Sequence, residues 1–385
     1  MNQAGQFPVG VVIFDESSQP MTSAGYAVSQ RGARRISRVT DLESDTIWWT
    51  SVSYAVFRKE RIWQHPNMRN DQLFRIPMQS VIHELGLAHS SHQEQAEALF
   101  SVAQQALAFL VKNYGYQGAG FARLDWFLSQ LLLKPGRRLS GPLAPLLTAA
   151  RNAHEYVTAS MAGGSQDAIA RTYVAPRTTY LDSLLDLQVP APQARWEFVK
   201  VGGVVDGDRL MDIGGKGALV ELSVADLDAD LGMVAPFAAR QTISSEPRLW
   251  APLPEAIFYA NQSRTEIRGI WVCDEACQLR DIVAKPAPRN DFSFSAALVA
   301  ENYLYALLGT TRGEAMSNGR EPIAAYVAAY DRLMMIQQAR RVYDLGYTPM
   351  SSACGGRLVV SVPAAAIQDL DDICTNLGFE PPVTG

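Results

Sequence analysis

The sequence predicts an α+β protein, in which strands and helices occupy separate stretches of the chain. Three observations favour this class. The first 75 residues are mostly strand-like, and a helical section follows as far as residue 188. Residues 193–285 contain short strand-like runs separated by glycine turns, and helical patterns return in residues 289–385. Because strands and helices do not alternate regularly, a doubly wound parallel sheet is disfavoured.

The N-terminal part contains two strand-like runs. The first, FPVGVVIF at residues 7–14, ends at the turn-forming residues 15–18. The second, TIWWTSVSYAVF at residues 46–57, is rich in the aromatic and β-branched residues that strands favour. The segment QRGARRISR between them is expected to be a polar, basic connection.

Helical periodicity dominates the next section. Residues 94–111 place apolar side chains at i, i+3 and i+4, and residues 121–133 and 143–161 show the same pattern. A shorter helix is expected at residues 179–187, ahead of Pro190. Together with the strands that precede them, these helices define a first predicted domain, residues 1–188.

The middle of the chain predicts a meander of hairpins. Glycine pairs and an Asp-Gly turn separate the expected strands, which lie at residues 196–201, 204–205, 209–213, 219–224 and 267–273. The predicted middle domain covers residues 193–285.

The C-terminal domain, predicted at residues 289–385, combines helices with one hairpin. Helices are expected at residues 295–308 and 323–345, a hairpin at 347–362, and a last helix at 364–377. Taken with the strand at 267–273, this order gives a β–α–β–β–α unit that is loosely ferredoxin-like.

Composition indicates a large buried core and little surface charge. Of the 385 residues, 48% are hydrophobic, which excludes general disorder. Only 19% are charged, against about 25% in typical soluble domains. The basic set comprises 28 Arg and 6 Lys, and the chain has 7 Trp and 14 Tyr. Interfaces are enriched in Tyr, Trp and Arg, so this composition favours assembly. A net charge of −5 argues against a protein that coats nucleic acid by bulk electrostatics.

The first functional hypothesis is therefore a non-enzymatic structural subunit. It would be a self-assembling, capsid-like shell protein of a virus or mobile element, or a component of a nucleoprotein complex. The chain has no Walker A loop, no dinucleotide fingerprint and no G-x-S-x-G elbow, so neither catalytic residues nor cofactors are assigned. A homo-oligomer or a multi-subunit complex is the expected state.

A basic cluster carries the second hypothesis, a nucleic-acid-binding subunit of a ribonucleoprotein effector. Four guanidinium groups within eight residues are expected to contact phosphates or a neighbouring subunit: Arg31, Arg34, Arg35 and Arg38. The following run supplies Trp48, Trp49 and Tyr54, which are suited to stacking on bases if they are exposed. The alternative interpretation is a solvated loop beside core aromatics.

The third hypothesis is a metal-dependent hydrolase. Its candidate ligands and general base lie within ten residues: His83, Glu84, His89 and His92. The spacing from His83 to His89 is two residues longer than in the zinc motif H-E-x-x-H. The alternative interpretation is a set of solvated histidines at a loop or helix start.

Cysteine usage and hydropathy bear on the compartment. The four cysteines are few for this length and are expected to be reduced packing thiols: Cys273, Cys277, Cys354 and Cys374. The first 25 residues show no signal peptide, and no run of 18 apolar residues predicts a membrane span. The expected location is the cytoplasm, or the host cytoplasm or the virion if the protein is viral.

Overall fold

The computed structural model describes residues 9–62, 68–69, 72–73, 76–114, 136–151, 156–157, 168–175, 177–225, 248–287, 293–309, 319–353 and 356–379. The chain forms two compact units. Unit 1 comprises Met1–Leu131, Pro286–Leu307 and Val383–Gly385, and unit 2 comprises Leu132–Lys285 and Leu308–Pro382. Each unit therefore combines separated stretches of sequence. The division into three continuous domains stays a prediction.

The described residues contain both strands and helices, which confirms the α+β class. The strands are β1 (Val9–Phe14), β2 (Gly25–Ser29), β3 (Gly32–Ile36), β4 (Ile47–Thr50), β5 (Met68–Arg69), β6 (Gln72–Leu73), β7 (Ile76–Pro77), β8 (Tyr156–Val157), β9 (Ala168–Val174), β10 (Gln188–Pro190), β11 (Trp196–Val199), β12 (Gly203–Val205), β13 (Ala218–Ala225), β14 (Arg248–Pro252), β15 (Arg264–Cys273), β16 (Ala276–Gln278), β17 (Thr348–Ala353) and β18 (Arg357–Pro363).

The α-helices are α1 (Tyr54–Lys59), α2 (Met78–Glu84), α3 (His92–Tyr114), α4 (Leu143–Arg151), α5 (Leu181–Leu185), α6 (Gly207–Gly214), α7 (Leu253–Gln262), α8 (Leu279–Ile282), α9 (Phe294–Ala306), α10 (Glu321–Asp344) and α11 (Ile367–Asn376). The helix expected at residues 121–133 lies outside the described residues. The one expected at 143–161 ends at Arg151 within them.

Unit 1 is organised around a five-stranded mixed sheet. The strand order is β3-β2-β1-β4-β5, in which β1, β4 and β5 run parallel while β2 is antiparallel to β1 and β3. All six residues of β1 are buried, as expected for an apolar central strand. Helix α3 packs against β1 and β2, and α9 packs on α3.

The opposite face of this sheet is closed by aromatic side chains. Trp48 and Phe57 join Val12 and Phe14 in one buried cluster. The Trp48 ring lies directly over Gly10, where an added Cβ atom would overlap the ring carbon Cζ3. Gly10 thus creates the space that a tryptophan needs on the neighbouring strand.

Two predictions for this region are corrected. The strand expected at residues 46–57 ends at Thr50, and α1 follows, because the Ser53 hydroxyl caps that helix by accepting from the Val56 amide at 3.4 Å. The connection QRGARRISR also contains a strand, β3, which pairs with β2 through a tight hairpin.

Among its described residues, unit 2 contains two antiparallel sheets of four or more strands. In the first, β11 and β12 pair with one side of β15, and β13 and β14 follow on the other side. A register shift between Glu221 and Leu222 marks a bulge opposite Arg268. The second sheet has the order β8-β17-β18-β9.

The expected meander of the middle segment is interrupted by a helix. Residues 209–213 belong to α6 rather than to a strand, because Asp206 caps the helix by accepting from the Arg209 amide at 2.8 Å. The structure also places the strand at 264–273 in a different sheet from the hairpin β17–β18, which pairs instead with β8 and β9.

None of the helices within the described ranges is long and apolar enough to cross a membrane.

Candidate nucleic-acid interface

The four predicted arginines lie on and beside β3, the outermost strand of the unit 1 sheet among the described strands. We call Arg31, Arg34, Arg35 and Arg38 the arginine edge. Arg34 lies across from Ala27 and Arg35 across from Tyr26. Successive side chains of a strand point to opposite faces, so Arg34 and Arg35 project to different sides of the sheet. The cluster therefore follows an edge and does not cover one face.

Three of these arginines pair with the acidic segment that follows β3, residues 41–45. The pairs are Arg31 with Asp45, Arg34 with Glu43 at 2.9 Å, and Arg38 with Asp41 at 3.5 Å. Hydrogen bonding from the Ser37 amide lowers the pKa of Asp41 below its ordinary value, and hydrogen bonding from Arg31 lowers that of Asp45. Both carboxylates are therefore ionised at neutral pH.

The fourth arginine belongs to a different group. Arg35 pairs with Asp15, which follows β1 directly, and the other oxygen of Asp15 lies 3.3 Å from Nδ1 of His92 at the start of α3. The sequence indicated only a turn at Asp15, and this contact was not predicted. The sequence signal for this contact was the position of Asp15 directly after an apolar strand, because functional side chains often lie at the carboxyl ends of neighbouring parallel strands, here β1 and β4.

The arginine edge and its four carboxylate partners together carry no net formal charge. Four guanidinium groups are matched by four carboxylates: Asp15, Asp41, Glu43 and Asp45. Counting arginines alone overlooked the acidic run DLESD, which was visible in the sequence. The arginine side chains nevertheless remain between 46% and 70% exposed.

Two of the aromatic residues expected to stack on bases are buried and cannot contact a ligand. Trp48 and Trp49 are 1% and 2% exposed, and the indole of Trp48 donates to the Glu43 carbonyl at 3.0 Å. They belong to the core of unit 1.

The four candidate metal ligands are exposed and spread over two helices and their connection. His83 and Glu84 end α2, His89 lies in the turn after it, and His92 begins α3. Within the described part of the chain, no three or more His, Cys, Asp or Glu side chains are grouped so that they could hold a metal ion.

The cysteines behave as packing thiols where the structure describes them. Cys273 and Cys374 are buried, and burial raises their pKa to about 11 and about 12. Burial also raises the pKa of Cys277, which is only partly buried. Cys354 lies outside the described residues.

Comparison with solved structures shows a likeness to phi29 DNA polymerase. Its post-translocation complex with primer-template DNA gives a TM-score of 0.47 at 9% identity, covering 94% of this chain and 82% of that chain. Its orthorhombic crystal form gives 0.48 at 10% identity, with coverages of 92% and 80%. Its complex with single-stranded DNA gives 0.45 at 10% identity, with coverages of 94% and 82%. A TM-score below 0.5 assigns neither a reaction nor a ligand to this chain.

No model of a known protein family matches the chain, and no curated protein matches its sequence.

The expectation of a non-enzymatic shell or assembly subunit is wrong. The structures with this likeness belong to a DNA-binding enzyme rather than to a shell protein. The physical reason lies in the aromatic content, which was interpreted as interface material. Large aromatics instead fill the interiors of the units: Trp48, Tyr173, Tyr259, Tyr305 and Tyr326. The nucleic-acid partner and the oligomeric state stay predictions.

Proposed function

We propose that the chain is a nucleic-acid-binding protein whose arginine edge contacts backbone phosphates. The observation that supports this function is a row of four exposed guanidinium groups along one sheet edge in unit 1. Arg is the side chain best suited to phosphate, because its planar fork matches two phosphate oxygens.

Each guanidinium keeps donors for a ligand. The ion pairs engage a single nitrogen each, Nη2 in Arg31, Arg34 and Arg35, and Nε in Arg38. A guanidinium has five N–H donors, so most of them face away from the carboxylate partner. The carboxylates also fix the orientation of the long side chains, which reduces the entropy that phosphate binding would otherwise remove.

The pairing of the four arginines with four carboxylates determines the expected affinity and salt dependence of binding. An exposed ion pair contributes about 0–1 kcal/mol, so exchange of a carboxylate for a phosphate is inexpensive. Because the carboxylates neutralise the arginine edge, it attracts distant nucleic acid only weakly. We therefore expect moderate affinity that depends on direct contact. Salt dependence should correspond to a few phosphate contacts rather than to a broad basic surface.

The test is a titration of a fluorescein-labelled 20-nucleotide single strand and a 20-base-pair duplex by anisotropy at several salt concentrations. The double variant Arg34→Ala with Arg35→Ala should weaken binding about tenfold, which corresponds to about 1.4 kcal/mol for two exposed contacts. On the single strand, the salt slope should fall by about 0.7 for each phosphate that the variant no longer neutralises. Different base sequences should be affected alike.

Arg280→Ala is the control, because the Arg280 side chain is about as exposed as those of Arg34 and Arg35 and pairs with Asp186 in unit 2. A further variant, Asp45→Asn, removes the carboxylate that faces Arg31 and should tighten binding. If the wild-type protein shows no salt-sensitive binding, or if the control weakens binding as much as the double variant, the arginine edge is not the interface.

A further inference from the structure

Ser37 lies directly after β3, within the arginine edge, and two arginines precede it. The segment Arg34-Arg35-Ile36-Ser37 places one guanidinium three residues before the hydroxyl and another two residues before it. Protein kinases select their substrates by charge pattern, and arginine-directed serine kinases bind arginines at these two positions through acidic side chains. The segment R-R-x-S is therefore a recognition pattern for such an enzyme.

The structure leaves this pattern accessible. Ser37 is exposed, and the side chains of Arg34 and Arg35 are 46% and 59% exposed. Their ion pairs lie on the surface, where such pairs are weak and exchange partners readily. The backbone is extended through β3 and again at Arg38, where φ is −161° and ψ is 163°. Peptide-binding clefts commonly take up a chain in this extended form, so the segment needs little rearrangement to enter one.

The turn at Ser37 is held by backbone groups and not by the serine hydroxyl. The amides of Ser37 and Arg38 donate to one carboxylate oxygen of Asp41, at 2.9 and 3.1 Å. Among the described residues, none accepts from or donates to the Ser37 hydroxyl. The hydroxyl can therefore react without the loss of a hydrogen bond that holds the turn.

We propose that Ser37 is a phosphorylation site for an arginine-directed serine kinase, and that its modification prevents the arginine edge from binding nucleic acid. In the reaction, the Ser37 oxygen bonds to the γ-phosphorus of ATP, the bond from that phosphorus to its bridging oxygen breaks, and ADP leaves. The hydroxyl proton passes to the catalytic carboxylate of the kinase. The effect on nucleic acid rests on the function proposed above, whereas the modification does not.

A phosphoryl group at Ser37 changes both the charge and the partners of the arginine edge. The four arginines and their four carboxylates balance in formal charge, and phosphoserine adds about −1.5 to −2 at neutral pH. The Cα atoms of Arg35 and Ser37 are at most about 7 Å apart, and Arg38 is the next residue, so both guanidinium groups are within reach. They would bind this phosphate through the same donors that would contact a nucleic-acid backbone. The modified edge is therefore negative, and its donors are occupied.

The chain offers a matched control, because the same pattern occurs again in unit 2. Arg137, Arg138 and Ser140 are all exposed, in a segment without helix or strand that precedes α4. We expect Ser140 to accept phosphate as well, since the same two guanidinium groups precede it. Ser140 does not belong to the arginine edge, so its modification adds the same charge elsewhere in the chain.

The test treats the full-length protein with ATP, Mg²⁺ and the catalytic subunit of cyclic-AMP-dependent protein kinase, an arginine-directed enzyme. Mass spectrometry then locates the phosphate. Ser37 should be modified, and the double variant Arg34→Ala with Arg35→Ala should be modified there at least tenfold more slowly, with Ser140 unaffected.

Nucleic-acid binding is then compared before and after treatment, with the labelled single strand described above. Ser140→Ala, which keeps Ser37 as the acceptor, should bind about tenfold more weakly after treatment. Ser37→Ala, which keeps Ser140, should bind equally before and after. Thermal melting of the untreated variants shows whether each of them is folded.

Two outcomes overturn the site itself: Ser37 takes up no phosphate, or the double variant takes it up as fast as the wild type. The effect on binding is overturned if treatment leaves Ser140→Ala unchanged, or if it weakens Ser37→Ala equally. If the untreated protein binds no nucleic acid, the proposed function and this effect fail together. Phosphate uptake at Ser37 then still decides whether the kinase site exists.

Discussion

Two adjacent residues of α10 carry opposite charges into the interior of unit 2. Arg332 donates to both oxygens of Glu255, at 2.7 and 2.6 Å, and also to the carbonyls of Ala150 and Arg151. Asp331 accepts from Arg177 at 2.5 Å and from the Tyr180 hydroxyl at 2.9 Å. Burial raises the pKa of Tyr180 well above its ordinary value, so it stays a donor. These contacts tie α10 to its neighbours.

Replacing one residue of the buried Arg332–Glu255 ion pair should destabilise the protein strongly. Glu255→Leu leaves a buried guanidinium without its counter-charge, and we expect a loss of about 3–5 kcal/mol in the free energy of unfolding. The double variant Glu255→Leu with Arg332→Met removes both charges and should lose less. Urea denaturation monitored by tryptophan fluorescence provides the measurement. Equal losses in the single and double variants would contradict a coupled pair.

At the scale of the element, α3 shows how a local sequence signal fixes a helix start. Ser91 and Glu94 form a capping box: the Ser91 hydroxyl accepts from the Glu94 amide at 3.3 Å, and the Glu94 carboxylate accepts from the Ser91 amide at 2.9 Å. Hydrogen bonds donated by the Ser91 amide and the Ser91 hydroxyl to the Glu94 carboxylate lower its pKa below the ordinary value. This capping signature, S-x-x-E ahead of an apolar run, places His92 in the first turn, beside Asp15.

Removal of this cap should destabilise unit 1 modestly. Ser91→Ala is expected to lower the free energy of unfolding by about 1 kcal/mol, because one amide of the first turn loses its acceptor. Since the pKa of Glu94 is lower in the folded state, its contribution is present above pH 4.5 and is lost as the pH falls through the folded value. Ser101→Ala, on the exposed side of the same helix, is the control. An unchanged melting temperature for Ser91→Ala would show that the cap is dispensable.

The discontinuity of unit 1 has a consequence at the scale of the whole molecule. Helix α9 follows residue 286 in the chain, yet it packs on α3, whose apolar side chains are buried. A fragment that ends at residue 131 therefore exposes apolar surface that the full chain covers. Exposed surface of this kind promotes association and lowers stability.

We expect residues 1–131 expressed alone to melt at a lower temperature and to bind the hydrophobic dye ANS. The same fragment joined through a flexible linker to residues 286–309 should recover cooperative melting and lose the dye signal. A linker fusion to residues 364–377, a helical segment of unit 2, is the control. If the short fragment alone melts as sharply as the α9 fusion, unit 1 does not depend on α9.

Much of the secondary structure was predictable because local signals agreed with the fold. Alternating apolar residues and turn residues predicted the strands within residues 196–205 and 348–363. Apolar residues at i, i+3 and i+4 predicted α3, α9 and α10. Errors arose where a short polar cap outweighed the apolar pattern, as at Ser53 and Asp206. The arginine edge was located by its composition, but its charge was misjudged because acidic partners were not counted with it.

The sequence by itself determined the α+β class, the position of most elements and the presence of a dense arginine cluster, since these depend on neighbouring residues. Only the tertiary structure decided that Asp15 meets Arg35 and His92, that the tryptophans of β4 are buried, and that the Phe198 ring lies over Gly269. The physical reason is that each of these features depends on contacts between residues far apart in sequence, which strand pairing and packing bring together.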